Sequence, residues 1–219
     1  FKNSMNMLKI LAQSENAKIT NSPSSSKFLN SLSLFKILYL LLLTCYIGFS
    51  QQSVDLDNSS VKWTGNQISG KSHFGTLSFE SAKLSFTNNE FNGGEFIVDM
   101  SSISVDDLTG KGKKSLEGHL MSDDFFSVNK FKTSKLELKK VVKAGPSQYN
   151  ATGNLTIKGK THPADINFTI NTDNNSMIAK LVFDRSKYDV RYGSGSFFEN
   201  LGDRLILDDI ELEVTIKMM

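Results

Sequence analysis

The chain has 219 residues, 25 basic against 23 acidic, with 39% hydrophobic residues and three prolines, the make-up of one globular domain with an appendage. Its near-neutral balance, with lysines spaced through strand-like runs, excludes the basic face or stripe that a nucleic-acid binder carries. The single cysteine, Cys45, lies in the appendage, so the rest of the chain must build its core without disulfide bonds.

The appendage comes first. Ile37 to Phe49 reads ILYLLLLTCYIGF, an apolar run preceded by Lys27 and Lys36 and followed by Ser50 and a polar Gln-Gln pair. It is too short to cross a bilayer, and it has the charged start, apolar middle and small-residue exit of a secretory signal. Residues 1–50 are therefore expected to be leader and signal peptide, with cleavage near Ser50, and residues 51–219 to be the folded domain. The appendage holds Lys2, Lys9, Lys18, Lys27, Lys36 and Glu15, so the domain without it is slightly acidic. LLTC around Cys45 is only faintly like a lipoprotein box, because the apolar run continues past the cysteine.

After the appendage, period-two alternation dominates. Val61 and Trp63 share a face, as do Phe96, Val98 and Met100, then Leu136 and Leu138, Leu155 and Ile157, Ile166, Phe168 and Ile170, Leu181 and Phe183, and Ile210 through Ile216. Turn residues separate these runs at TNNE, AGPS, GKTHP and TDNNS, which predicts eight strands near 60–69, 73–87, 90–100, 132–143, 147–158, 162–172, 176–188 and 207–217. Short links between neighbours predict an antiparallel, up-and-down order. Eight strands with one apolar face each bury it by closing into a barrel, which also removes the sheet edges. Strands of about eleven residues reach roughly 35 Å, a tall barrel. With 16 Phe and one Trp, its interior is either a packed core or an elongated apolar pocket, and composition alone favours the core.

One long interruption, residues 101–131, breaks the alternation. Leu116 and Leu120 approach helical spacing there, and Ser122 precedes two aspartates, so a short helix is expected between the third and fourth strands, covering one barrel end. His119 and Asp123 form an i, i+4 pair of the kind acid–base catalysis uses, yet no nucleophile turn accompanies them. A capped helix end is the preferred reading. His73, His119 and His162 share no metal-ligand spacing, so neither a catalytic residue nor a metal is assigned. Asp208 and Asp209 read as the end of a loop.

Five blocks in this order, VKWTGNQISGKSHFGTLSF, GGEFIVDMSSI, LEGHLMSDDFFSV, GNLTIKGKTHPADI and FDRSKYDVRYGSG, resemble the YceI-like family of lipocalin-like secreted proteins. The resemblance spans about Val61 to Ile216. It implies an all-β, eight-stranded antiparallel lipocalin-like barrel, a periplasmic or secreted location, and an interior that binds a polyisoprenoid or isoprenoid quinone. It implies binding rather than a reaction, and it turns the balance from packed core to pocket. The exit GFSQQ is similar to that of secreted Bacteroidetes proteins. Carried onto this chain, the resemblance sets His73 and Phe74 at a strand entrance and His119, Phe125 and Phe126 beside the cavity. It also singles out Asp184 and Arg185 as a charged pair on a strand.

Phe79, Phe96, Val98, Phe125, Phe126, Phe168, Leu181 and Phe183 are then expected to line the tunnel, with Arg185, His73 and His119 near a polar ligand head. The expected partners are a long-chain lipid and a transient membrane surface for loading or release, with no cofactor beyond the lipid. A homodimer is left open. Other readings are a fatty acid or fatty amide binder, a lipid hydrolase or isomerase using His119 and Asp123, and a filled structural barrel. The chain departs from the family pattern at FSVNKFKT, which has Ser127 for an aspartate and lacks a Tyr-Pro, a change expected to loosen the connection at the cavity mouth.

Overall fold

The computed structural model describes residues 49–88 and 90–219, so most of the expected leader lies outside the described residues. Nine strands are present among them: β1 (Phe49–Gln52), β2 (Val54–Gln67), β3 (Ser72–Thr87), β4 (Glu90–Asp99), β5 (Thr133–Lys143), β6 (Gln148–Ile157), β7 (Lys160–Asn171), β8 (Ser176–Asp184) and β9 (Ile206–Met218), with one helix, α1 (Gly110–Met121). From β2 to β9 each strand pairs antiparallel with its neighbours in sequence, and β9 returns to β2. This is the expected closed, eight-stranded antiparallel barrel with a helix between its third and fourth strands. β1 is an addition that lies beside the end of β3, Phe49 opposite Thr87.

Closure works because one side of each strand is apolar. On β3 the inward set is Leu77 and Phe79, until a bulge between Phe79 and Ser81 transfers it to Ala82, Leu84 and Phe86. An inserted residue exchanges the two faces of a strand, so the bulge keeps apolar residues inside where the sequence parity changes. β2 begins earlier than its alternation suggests, because Asp55 to Ser60 bulges against β9. Ser59 inside that bulge is buried and its hydroxyl accepts from the Lys217 N–H at 2.9 Å.

β8 stops at Asp184 rather than running on to 188. The Asp184 carboxylate accepts from the Ser186 N–H and hydroxyl at 2.9 and 2.6 Å, capping a 3-10 turn over Arg185–Tyr188. Side-chain capping of this kind competes with strand pairing.

The two barrel ends differ. At one end Phe86, Phe91 and Phe168 pack edge to face in succession and Tyr149 stacks on Phe168, with ring centroids 5.4, 5.4 and 5.2 Å apart, and they plug the bore. At the other end lie the β2–β3 and β6–β7 hairpins and the two long connections, 100–132 and 185–205. The first of these carries α1, whose Leu120 is buried and Leu116 packs on the core. The stretch that lacks the family's proline is nevertheless tied down. The N–H groups of Lys130 and Phe131 donate to the Ser127 carbonyl at 2.8 and 3.0 Å, and the Met100 N–H donates to that of Lys132 at 2.8 Å.

The wall is not bonded along its whole height. The β4–β5 ladder runs only from Glu95–Glu137 to Asp99–Thr133, and the β7–β8 ladder only from Asn167–Lys180 to Asn171–Ser176. Where β7 leaves β8, the Arg185–Tyr188 turn lies against it, with His162 Nε2 and the Lys187 carbonyl 3.0 Å apart.

Candidate functional site

Between the aromatic plug and the helical cap lies a cavity of about 180 Å³ whose wall is almost wholly apolar. An apolar cavity of about 150 Å³ already admits a benzene-sized guest and stays dry. Alternation builds the wall: Met177, Ala179, Leu181 and Phe183 of β8 face Ile210, Leu212, Val214 and Ile216 of β9 across neighbouring strands. Phe79 and Phe96 meet at 6.4 Å on β3 and β4, and Leu116 and Leu120, one helical turn apart on α1, close the cap.

Nine of the residues expected at the site line this cavity: Phe79, Phe96, Val98, Phe125, Phe126, Phe168, Leu181, Phe183 and Arg185. His73 joins them at the capped end. Phe74 and His119 do not. Phe74 follows inward-facing His73 on β3, so strand parity sends its ring outward, where the Lys62 ammonium lies 5.3 Å from its centre. His119 packs edge-on against Phe125 and Tyr192, at 5.0 and 4.4 Å, outside the cavity wall.

The His119–Asp123 pair of the alternative, catalytic reading is not formed, and the preferred capped helix end is present, with the Ser122 N–H and hydroxyl donating to the His119 carbonyl at 3.1 and 2.7 Å. α1 ends at Met121, so the turn that would stack these two residues is absent. His119 Nε2 lies 3.3 Å from Asp124, while Asp123 accepts from Lys130 at 2.8 Å. The three histidines lie in separate places, and among the described residues no cluster of three metal-ligating side chains forms.

The polar groups of the capped end are engaged with one another. His73 Nδ1 and Asp107 Oδ2 are 2.7 Å apart, and the Phe74 N–H donates to the other Asp107 oxygen at 3.0 Å. Burial pushes the Asp107 carboxyl up, but these hydrogen bonds outweigh it and leave the carboxyl below its ordinary range. The Trp63 indole N–H donates to the Ser104 carbonyl at 3.1 Å, so the buried ring leaves no donor unmet.

Arg185, 1% exposed, is the most enclosed charge. Its Nε donates to the Leu207 carbonyl, Nη1 to those of Val190 and Tyr192, and Nη2 to that of Ile206, all at 2.9–3.2 Å. Nη2 also faces Asp208 at 3.3 Å. Burial lowers its pKa, while Asp208 and Asp184 act to raise it. Four of the five guanidinium hydrogens are thus taken by carbonyls, and Asp208 stands beside the cation as its opposite charge, with an Oδ1 that accepts no hydrogen bond. The charged pair expected within Asp184–Arg185 is instead Arg185–Asp208.

Asp208 escaped the sequence reading, which placed it in a loop, although β9 carries it. Its signal was parity: Ile206, Ile210, Leu212 and Val214 all face inward, and Asp208 stands in the same register. Arg185 continues the inward register of Leu181 and Phe183. Two opposite charges in inward register at the same barrel end mark a buried pair.

A closed eight-stranded antiparallel barrel with an apolar bore and a helical cap gives the chain a lipocalin-like architecture. The YceI-like domain model matches residues 52–218, and the chain belongs to that family. Among solved structures, BcnA of Burkholderia cenocepacia is similar at 21% identity and a TM-score of 0.58, over 75% of this chain and 98% of that one. The Campylobacter jejuni YceI protein is similar at 21% identity and a TM-score of 0.45, over 64% of this chain and 82% of that one. No curated protein matches the chain.

Proposed function

We propose that this protein is a secreted or periplasmic carrier that holds a long-chain amphiphilic lipid, of the polyisoprenoid or isoprenoid quinone class, in its barrel, and that it catalyses no reaction on it. The apolar cavity between plug and cap carries this reading. Family membership is consistent with it. Transfer of apolar surface is worth about 25 cal/mol per Å², so roughly 600 Å² of buried ligand surface gives about 15 kcal/mol. After several kcal/mol of association cost, about micromolar binding is left. A chain too long for the cavity would displace the cap, which is the part of the bore closed by a connection rather than by strand side chains.

The polar groups favour a neutral head over a fatty acid. The cations on the cavity wall are Arg185 and Lys135. Arg185 donates to four carbonyls and is paired with Asp208, and Lys135 pairs with Glu95 at 2.6 Å. A carboxylate would therefore meet no unmatched cation on the described wall, whereas a prenyl chain or quinone needs none.

The test is native mass spectrometry of the purified protein, organic extraction of what travels with it, and titration with farnesol. The expected result is a prenyl lipid at near-equal stoichiometry, or farnesol uptake by the empty protein. Ala179 on β8 faces the cavity between Phe168 and Val214, so Ala179→Phe should fill it, weakening farnesol binding at least about tenfold without lowering Tm. No extractable lipid and no farnesol uptake by the wild type would return the barrel to a filled structural module.

A further inference from the structure

Ten large hydrophobic residues are exposed among the described residues. Six lie at the capped end: Ile68 and Phe74 on the β2–β3 hairpin, Tyr192, Phe197 and Phe198 on the β8–β9 connection, and Leu207 at the start of β9. Val142, Ile178, Val182 and Met219 are scattered along the wall and the far end. Ile68 is 57% exposed and Phe198 49%, and concentrated apolar exposure of this kind marks a contact surface.

These side chains are held out by a rigid support. The Ile68 N–H donates to the Leu205 carbonyl at 2.9 Å, the Ile206 N–H to that of Gly193 at 2.8 Å, and the Phe197 and Phe198 N–H groups both to that of Ser194 at 3.2 and 3.0 Å. Ser194 is fully buried, and its hydroxyl donates to Asp208 at 2.9 Å. Arg185 fastens the same loop through the carbonyls of Val190, Tyr192 and Ile206. A buried ion pair thus fixes a loop whose aromatic residues stay partly exposed, Tyr192 against His119 and Phe125 and Phe197 beneath the Arg191 guanidinium, an ordering cost met before any partner arrives.

The same residues border the bore. Arg185 and Ile206 line the cavity, and the Tyr192 ring lies 5.4 Å from Phe125, which also lines it. The connection 185–205 is not strongly basic, since Arg185, Lys187, Arg191 and Arg204 stand against Asp189, Glu199 and Asp203. Attraction by net charge is therefore not its means of contact.

We propose that the capped end is a membrane-docking face, at which Ile68, Tyr192, Phe197 and Phe198 enter the interfacial layer of a bilayer so that cargo crosses between membrane and barrel without passing through water. This rests on the carrier reading given above. Continuity of the exposed rim with the apolar bore selects a lipid surface as the occupant, since a protein partner needs no route into the cavity. Aromatic side chains suit the bilayer interface, and insertion of this kind depends on buried apolar area.

The test is co-flotation of the purified protein with phosphatidylcholine vesicles, at low and high salt, beside the double variant Phe197→Ser/Phe198→Ser. Both rings lie outside the cavity, so farnesol delivered from ethanol should bind both proteins equally. The wild type should float with the vesicles at either salt level, and the variant should partition about tenfold or more weakly, as expected for removing two half-exposed rings. A wild type that stays with the soluble fraction, or a variant that floats equally well, overturns the docking face. So does a wild-type dimer that the double variant splits while vesicle partition is unchanged, which would assign the rim to a second copy. If flotation behaves as expected and farnesol binds neither protein, the carrier reading falls and the docking face stands.

Discussion

Gly75 shows how much one missing side chain carries. A Cβ at this position would stand 1.8 Å from the Ser104 carbonyl oxygen, because the segment after β4 runs directly over β3. There Ser104 donates its N–H to Thr76, and Asp106 donates its N–H to Phe74. The Ser104 backbone and the hydrogen-bonded Trp63 indole nitrogen, 2.9 Å away, leave little to yield, so Gly75→Ala should cost about 2 kcal/mol or more, read as a lower midpoint in urea unfolding. The residue is an unremarkable letter in SHFGT; its necessity comes from a crossing that only the folded chain makes. Arg185 and Asp208 are the opposite case, since their inward register was present in the sequence. A charge in an inward position is a demand for a partner, and that demand could have been matched before the fold was known.

At the scale of elements, the alternation reported the barrel strands well because each strand has one wet and one dry face. It failed where hydrogen bonds override the pattern: the bulged start of β2, the capped end of β8, and the α1 terminus that separates His119 from Asp123. The shape of the connection 185–205 was not legible, because it follows from carbonyls at Val190, Tyr192, Ile206 and Leu207 gathered by the Arg185 guanidinium at its start. The aromatic plug is the element-level feature with the clearest energetic consequence. Phe168 is 4% exposed and touches Phe91 on one side and Tyr149 on the other. Phe168→Ala should destabilise the barrel by about 3–5 kcal/mol. Calorimetry checks this as a fall in Tm, and an unchanged Tm would mean that the plug does not hold the far end shut.

At the scale of the whole molecule, acid is the simplest stress. Hydrogen bonds hold the Asp107 carboxyl below its usual range against the effect of burial. Partner side chains do the same for half-buried Glu95 and Asp189 and for exposed Asp123, through Lys135, Arg191 and Lys130 in turn. The folded protein therefore binds these protons less tightly than the unfolded chain does. The stability they supply is complete above about pH 4, the ordinary carboxyl range, and is lost as pH falls through the lower folded values. Denaturation midpoints should fall steeply below that point. Asp107→Asn should lower the midpoint at neutral pH while flattening this acid limb, and an acid limb as steep as that of the wild type would remove Asp107 from the account.

The two places where the wall ladder stops early bear on cargo choice. A fully stitched cylinder has a fixed circumference, so a thicker guest must compress side chains or break backbone bonds. Here β4 separates from β5 beyond Glu95, and β7 from β8 before Asn167, on well-separated parts of the circuit. The β4–β5 seam can widen there without breaking a ladder bond, whereas the Arg185–Tyr188 turn bridges the β7–β8 seam through His162, so the girth of the bore is adjustable at the first of them. On the carrier reading proposed above, a barrel built this way would be lenient about the cross-section of its guest, which suits a class of related chains better than a single molecule.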